Sequence, residues 1–229
     1  MIIHCIGDSH TWQFIGKLPE NLNINENISG YKNKYNNTIT FNNTNNTNNT
    51  NNTNKNITFF GYRCCEDGAY AYNIEKRKNI IDKILINTNQ NDILIFMFGE
   101  VDCRYKIKSQ MLKNNTTIEE EVIIVVNRYM DFIKNYNNRK IIIWGPHPQH
   151  TSPTHHYIDC FDSNERNTIT KIFNEKLELF ANKENFLFIT LFNDLIDKPE
   201  LNNYFLDDTI HIKPCKEILD IYINKIIKI

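Results

Sequence analysis

Three short polar stretches carry the side chains best suited to chemistry: Gly7-Asp8-Ser9-His10, Gly99-Glu100-Val101-Asp102-Cys103-Arg104 and Asp208-Thr209-Ile210-His211. The first offers a hydroxyl, and the last offers an imidazole with a carboxylate three residues before it. A serine hydroxyl becomes a nucleophile when a base takes its proton, and a carboxylate fixes the tautomer of that base. Serine, histidine and carboxylate brought together therefore have the parts for nucleophilic acyl transfer. Taken singly, each residue has an ordinary reading. Ser9 can cap a helix, Asp208 can cap a turn, and His211 can be a surface histidine. What separates the two readings is whether the fold brings the three together.

The elements between these stretches predict that it does. Ile2, Ile3, Cys5 and Ile6 read as a short buried strand that stops at Gly-Asp-Ser. Further strands are predicted at 57–60, 92–98, 140–144 and 186–191. The run Ile93-Leu94-Ile95-Phe96-Met97-Phe98 is apolar without alternation, as in a parallel strand covered on both faces. Helical periodicity is predicted over 10–17, 70–86, 117–136, 164–182 and from Pro214 onward. In the third of these helices Thr117 and Glu120 make a capping box. Strands alternating with helices predict a single α/β domain: a three-layer α/β/α, flavodoxin-like arrangement around a five-stranded parallel sheet. In that topology Ser9 and Gly99-Glu100 follow the two strands that flank the switch point, where ligands bind.

Composition narrows the setting. The 229 residues suit one sizeable domain, and a formal net charge of -1 gives no electrostatic reason to expect nucleic acid or an anionic membrane as partner. No apolar run reaches membrane-spanning length and no export signal is visible, so the expectation is a cytoplasmic protein. The six cysteines form no Cys-x-x-Cys pair and are expected as reduced thiols. From about 19 to 56 the composition turns to Asn and Thr, with a tandem Asn-Asn-Thr repeat at its centre. The segment at about 36–56 is expected to be a disordered, low-complexity insertion with no part in the chemistry, because it has little to bury. Its Asn-x-Thr sequons are read as unmodified. The Asn bias suggests an AT-rich genome, such as that of an amoeba or one of its large viruses. For a viral chain the cytoplasm would be the host's. The loop with His147, His150, His155, His156 and Cys160 matches no structural-zinc spacing. No metal is expected there, and His147 is expected to line a substrate pocket.

Gly7-Asp8-Ser9 and Asp208-Thr209-Ile210-His211, with Ile212-Lys213-Pro214 after them, resemble the first and last conserved blocks of the SGNH/GDSL hydrolases. The resemblance covers nearly the whole chain apart from the Asn-rich insertion. It implies Ser9 as nucleophile, His211 as general base and Asp208 as orienting carboxylate. The family's third block, Gly-x-Asn-Asp, uses its Asn to help hold the oxyanion. Here Val101 stands in that place and has no hydrogen to donate. The stretch instead resembles a variant subgroup with Gly-Glu-Ile-Asp-Cys-Arg. Arg104 is then a candidate replacement donor or anion clamp, and the alternative is an ion pair with Glu100 or Asp102. Gly68 is the first choice for the glycine whose amide completes the oxyanion hole, with Gly61 second. The Ser9 amide is expected to contribute as well.

The resemblance implies a serine enzyme moving a short acyl group, acetyl foremost, on or off a carbohydrate. An acyltransferase acting on a sugar is slightly preferred, and an esterase is the alternative. A non-catalytic carbohydrate-binding module on the same fold is the reading from another class. The esterase reading requires no cofactor, and acetyl-coenzyme A is a candidate donor for the transferase. The expected partner is a small molecule or glycan.

Overall fold

The computed structural model describes residues 1–15, 34–42, 54–64, 70–149, 163–198, 200–205, 210–213, 218 and 225–226. Among these residues six strands form one sheet: β1 (Ile2–Gly7), β2 (Lys34–Asn42), β3 (Asn54–Arg63), β4 (Ile93–Met97), β5 (Lys140–Gly145) and β6 (Leu187–Thr190). Their order is β2-β3-β1-β4-β5-β6, and all neighbours pair in parallel except β2 with β3. The five parallel strands thus take the flavodoxin-like order, with the switch point between β1 and β4.

The helices are α1 (Trp12–Ile15), α2 (Lys78–Ile86), α3 (Ile107–Asn114), α4 (Ile118–Ile133), α5 (Ser163–Lys183) and α6 (Phe192–Leu195). Alternation along each strand sends side chains to two separate cores. Ile6, Leu94, Phe96 and Ile143 pack with α2, α4 and α5 on one face. Ile3, Cys5, Ile95, Met97 and Trp144 pack with Phe14, Leu195, Ile218 and Ile226 on the other. The predicted capping box is present: Glu120 N donates to Thr117 Oγ1 at 3.2 Å, and Thr117 N donates to Glu120 Oε2 at 2.8 Å.

The sheet differs from expectation at one edge. Residues 34–42 form a strand antiparallel to β3, and β3 begins at Asn54, so both flanks of the supposed insertion are ordered. The segment Thr38-Ile39-Thr40-Phe41 alternates strand-favouring residues, and the free edge of β3 offers it a backbone partner. The repeat at 43–53 lies outside the described residues, as do most of the predicted carboxyl-terminal helix, Cys65, Cys160 and Cys215. Cys5 and Cys103 are buried free thiols, and the Cys64 thiol is buried against the Tyr62 carbonyl oxygen.

Candidate active site

The loop that carries Ser9 is built by close packing at the end of β1. A Cβ on Gly7 would collide with the Met97 carbonyl oxygen, so only glycine lets β1 and β4 approach this closely here. The chain then turns on Asp8. Asp8 Oδ1 accepts from the His10 backbone N–H at 2.8 Å and pairs with His10 Nδ1 at 2.7 Å, while Thr11 Oγ1 donates to the Asp8 carbonyl at 3.1 Å. These bonds close the turn that presents Ser9 at the carboxyl edge of the sheet. Ser9 Oγ lies 2.5 Å from His211 Nε2, across 202 positions of sequence. Both residues are half-buried.

Behind that pair lies a buried charge array. His10 Nε2 is 3.3 Å from Glu100 Oε2, and Arg104 Nη2 is 3.3 Å from the same oxygen. Asp8, His10, Glu100 and Arg104 alternate in sign and are all buried. Against burial, which would raise it, the Arg104 guanidinium and the His10 ring, when protonated, hold the Glu100 carboxyl down to about 2. Burial alone would lower the His10 imidazole, yet the carboxylates of Glu100 and Asp8 raise it above its ordinary value. The His10 ring also faces two other imidazoles, with centroids 4.8 Å from His211 and 5.1 Å from His147. His147 Nδ1 contacts the Pro148 carbonyl oxygen at 2.9 Å. Burial, aided by His10, pushes the His147 imidazole down to about 4, so it is neutral at pH 7 with Nε2 left as an acceptor. A small pocket opens among Asp8, His10, Gln13, Glu100, Trp144 and His147.

No sequence-family model matches this chain, and no curated protein sequence does either. Solved structures do. A lipase/acylhydrolase from Enterococcus faecalis superposes with a TM-score of 0.56 at 15% identity, covering 99% of this chain and 95% of that one. A member of the lipolytic G-D-S-L family from Veillonella parvula gives 0.51 at 14%, over 100% and 97%. An acetyl xylan esterase gives 0.52 at 14%, over 100% of both chains. The chain has the SGNH/GDSL hydrolase fold. Within that SGNH/GDSL frame, the residues expected from the motifs fall into three groups.

Ser9 and His211 meet, and His147 and Glu100 line the pocket beside them. Asp208 and Gly68 lie outside the described residues, as do His150, His155 and His156. The others stand apart from the pocket lining. Gly61 sits inside β3 opposite Cys5, two residues short of the strand's end, and is thus no loop amide. Asp102 was expected at the site, but it is fully buried and accepts from the backbone N–H groups of Ala71 at 2.7 Å and Tyr72 at 3.0 Å. It anchors the start of the helical segment Ala71–Arg77. Burial pushes its carboxyl up to about 7, against those two amide bonds. Arg104 is engaged with Glu100, the ion pair that the sequence left open as the alternative to a donor role. Gly99, with φ at +114° and the Phe173 ring 2.6 Å from where a Cβ would lie, turns the chain so that Glu100 points inward. Sequence reasoning assigned nothing to His10, Gln13 or Trp144. For His10 the signal was present: a histidine directly after the serine and two residues beyond an aspartate has a carboxylate within reach.

Proposed function

We propose that the protein is a serine esterase that removes a short acyl group, acetyl foremost, from a carbohydrate. The observation that carries this reading is the 2.5 Å contact between Ser9 Oγ and His211 Nε2 at the switch point of the sheet. In the first half-reaction Ser9 Oγ forms a bond to the acyl carbonyl carbon while its proton passes to His211 Nε2. The tetrahedral oxyanion needs donors. The Ser9 amide is one supplied by this chain, and the Val101 side chain is not one. Collapse breaks the bond to the alkoxide, which leaves with the proton from His211. In the second half-reaction water gives one proton to His211 and bonds through its oxygen to the acyl carbon; collapse then breaks the bond between that carbon and Ser9 Oγ, and the proton on His211 returns to Oγ. Every electron pair is accounted for by these groups without a cofactor. The acetyl group and the carbohydrate are suggested by the acetyl xylan esterase that shares the fold.

The same acyl-enzyme handed to a sugar hydroxyl instead of water is the transferase that the sequence favoured. The acceptor decides between the two, so one experiment covers both. Intact-protein mass spectrometry after brief exposure to an activated acetyl ester, or to acetyl-coenzyme A, should show one acetyl group added per chain and none on Ser9→Ala. Release that is unchanged by added monosaccharide identifies an esterase. Release that speeds up and yields acetylated sugar identifies a transferase. Absence of any adduct, together with measurable glycan binding, would replace both with the binding module.

A further inference from the structure

The motif residue that the proposed reaction leaves unused is His10. It is buried, it follows the nucleophile directly, and three loops converge on it. Each of its ring nitrogens faces a carboxylate: Nδ1 faces Asp8 Oδ1 at 2.7 Å, and Nε2 faces Glu100 Oε2 at 3.3 Å. Nδ1 is hydrogen-bonded to Asp8, whereas the Nε2 approach to Glu100 is an ion-pair distance without a hydrogen bond, so it is the charge of the two carboxylates on either side of the ring that favours the doubly protonated, cationic form. Its face lies against the imidazole of His211, 4.8 Å away and tilted by 35°.

We propose that His10 is a positioning residue for the base: clamped between Asp8 and Glu100, its ring holds His211 in register with Ser9 Oγ and keeps His211 unprotonated until the serine proton arrives. The inference rests on the acyl-transfer reading above. Among the described residues, the groups around His10 are Asp8 and Ser9 on its own loop, Glu100 and Arg104 after β4, His147 after β5, and His211 near the carboxyl end. Among them His147 is neutral, and Arg104 offsets Glu100. A cation at His10 opposes a second positive charge on His211, so the neutral base persists to lower pH. Removing His10 also leaves Glu100 with one cation fewer, which favours charge on His211. Both consequences have the same sign.

The test has two parts. In the substrate-free, histidine-labelled protein, NMR should show one imidazole that keeps both ring protons above the usual histidine range. That signal should vanish in His10→Gln, and in Glu100→Gln it should titrate at lower pH. In kinetics, His10→Gln should move the acidic limb of kcat/KM upward by about one pH unit, a tenfold change in the proton affinity of His211. Loss of activity at pH 8 should be smaller than at pH 6, and KM should change little. The inference is overturned if no imidazole titrates above the usual histidine range, or if the acidic limb stays in place. It is also overturned if the purified protein holds one metal ion per chain that His10→Gln abolishes, since His10 would then be a ligand. If His10→Gln fails to fold, the NMR titrations of the wild type and of Glu100→Gln decide. If Ser9→Ala keeps full activity, the acyl-transfer reading fails while the NMR result on His10 still stands.

Discussion

Two buried histidine–carboxylate pairs sit at opposite ends of β1 and its neighbours. Toward the amino end, His4 Nε2 meets Asp92 Oδ2 at 3.0 Å and His4 Nδ1 meets the Tyr62 hydroxyl at 3.2 Å, with Phe60 stacked on the ring. At the carboxyl end, His10 meets Asp8 and Glu100. By distance and burial the two pairs are much alike. What differs is what lies next to them. Asp92 also accepts the Asn89 amide at 2.8 Å, so its carboxylate is shared with the backbone before β4. The His10 group borders a pocket, a half-buried hydroxyl and a second imidazole. A histidine beside a carboxylate is a structural device by default. It becomes part of a reaction centre when the chain end of a parallel strand supplies a nucleophile and an opening.

The comparison is broken most sharply by removing the proposed nucleophile. Ser9→Ala should lower turnover by at least about a thousandfold, as loss of other serine nucleophiles does, with no loss of melting temperature because Ser9 is no core residue. Activity within tenfold of wild type would reduce the carboxyl-end group to the status of the amino-end one. Arg104→Met should come next. It strips one cation from the buried Glu100 and should cost about 3–5 kcal/mol of stability in chemical denaturation. A stable variant with a hundredfold lower acyl-transfer rate would instead make Arg104 the missing oxyanion donor. Asp92→Asn keeps the shape of the other pair but removes its charge. It should cost about 2 kcal/mol and leave kcat and KM of the folded protein unchanged. A fall in kcat there would mean that the two ends of β1 are coupled.

Different parts of the molecule were legible to different degrees. The parallel strands were readable because continuous apolar runs such as Ile93 to Phe98 have few other uses, and α4 announced itself through Thr117 and Glu120. Ser9 and His211 were readable because their motifs stand at the two ends of the chain on an alternating fold. Asp102 and Glu100 were not separable by sequence. They are two residues apart in one motif, and the φ of +114° at Gly99 with the wide helical turn at Asp102–Lys106 decides which carboxyl faces the pocket and which faces Ala71. Strand β2 was missed because its flanking composition resembles the repeat. Its strand character comes from four residues, 38–41, and from an edge that only the folded sheet provides.

The smallest expected effect concerns that repeat, and the register of the hairpin gives the reason. β3 runs parallel to β1, with Thr58 opposite Ile2, so Asn54 lies four residues before the point where β1 begins. Asn42 pairs with Asn54. The repeat therefore leaves and rejoins the sheet at its amino end, whereas Ser9 and His211 stand beyond its carboxyl end, past the full length of β1. Excising residues 45–50, two Asn-Asn-Thr units, shortens the connection by about half without disturbing either strand. Loop-closure entropy changes by only about 0.6 kcal/mol for such a halving, in the stabilising direction. The expected outcome is a melting temperature equal to or slightly above wild type, with kcat/KM unchanged. A lower melting temperature would show that the repeat packs on the sheet. An altered KM with unchanged stability would show that it reaches around the edge to the site, and the separation of the two ends of β1 drawn above would no longer hold.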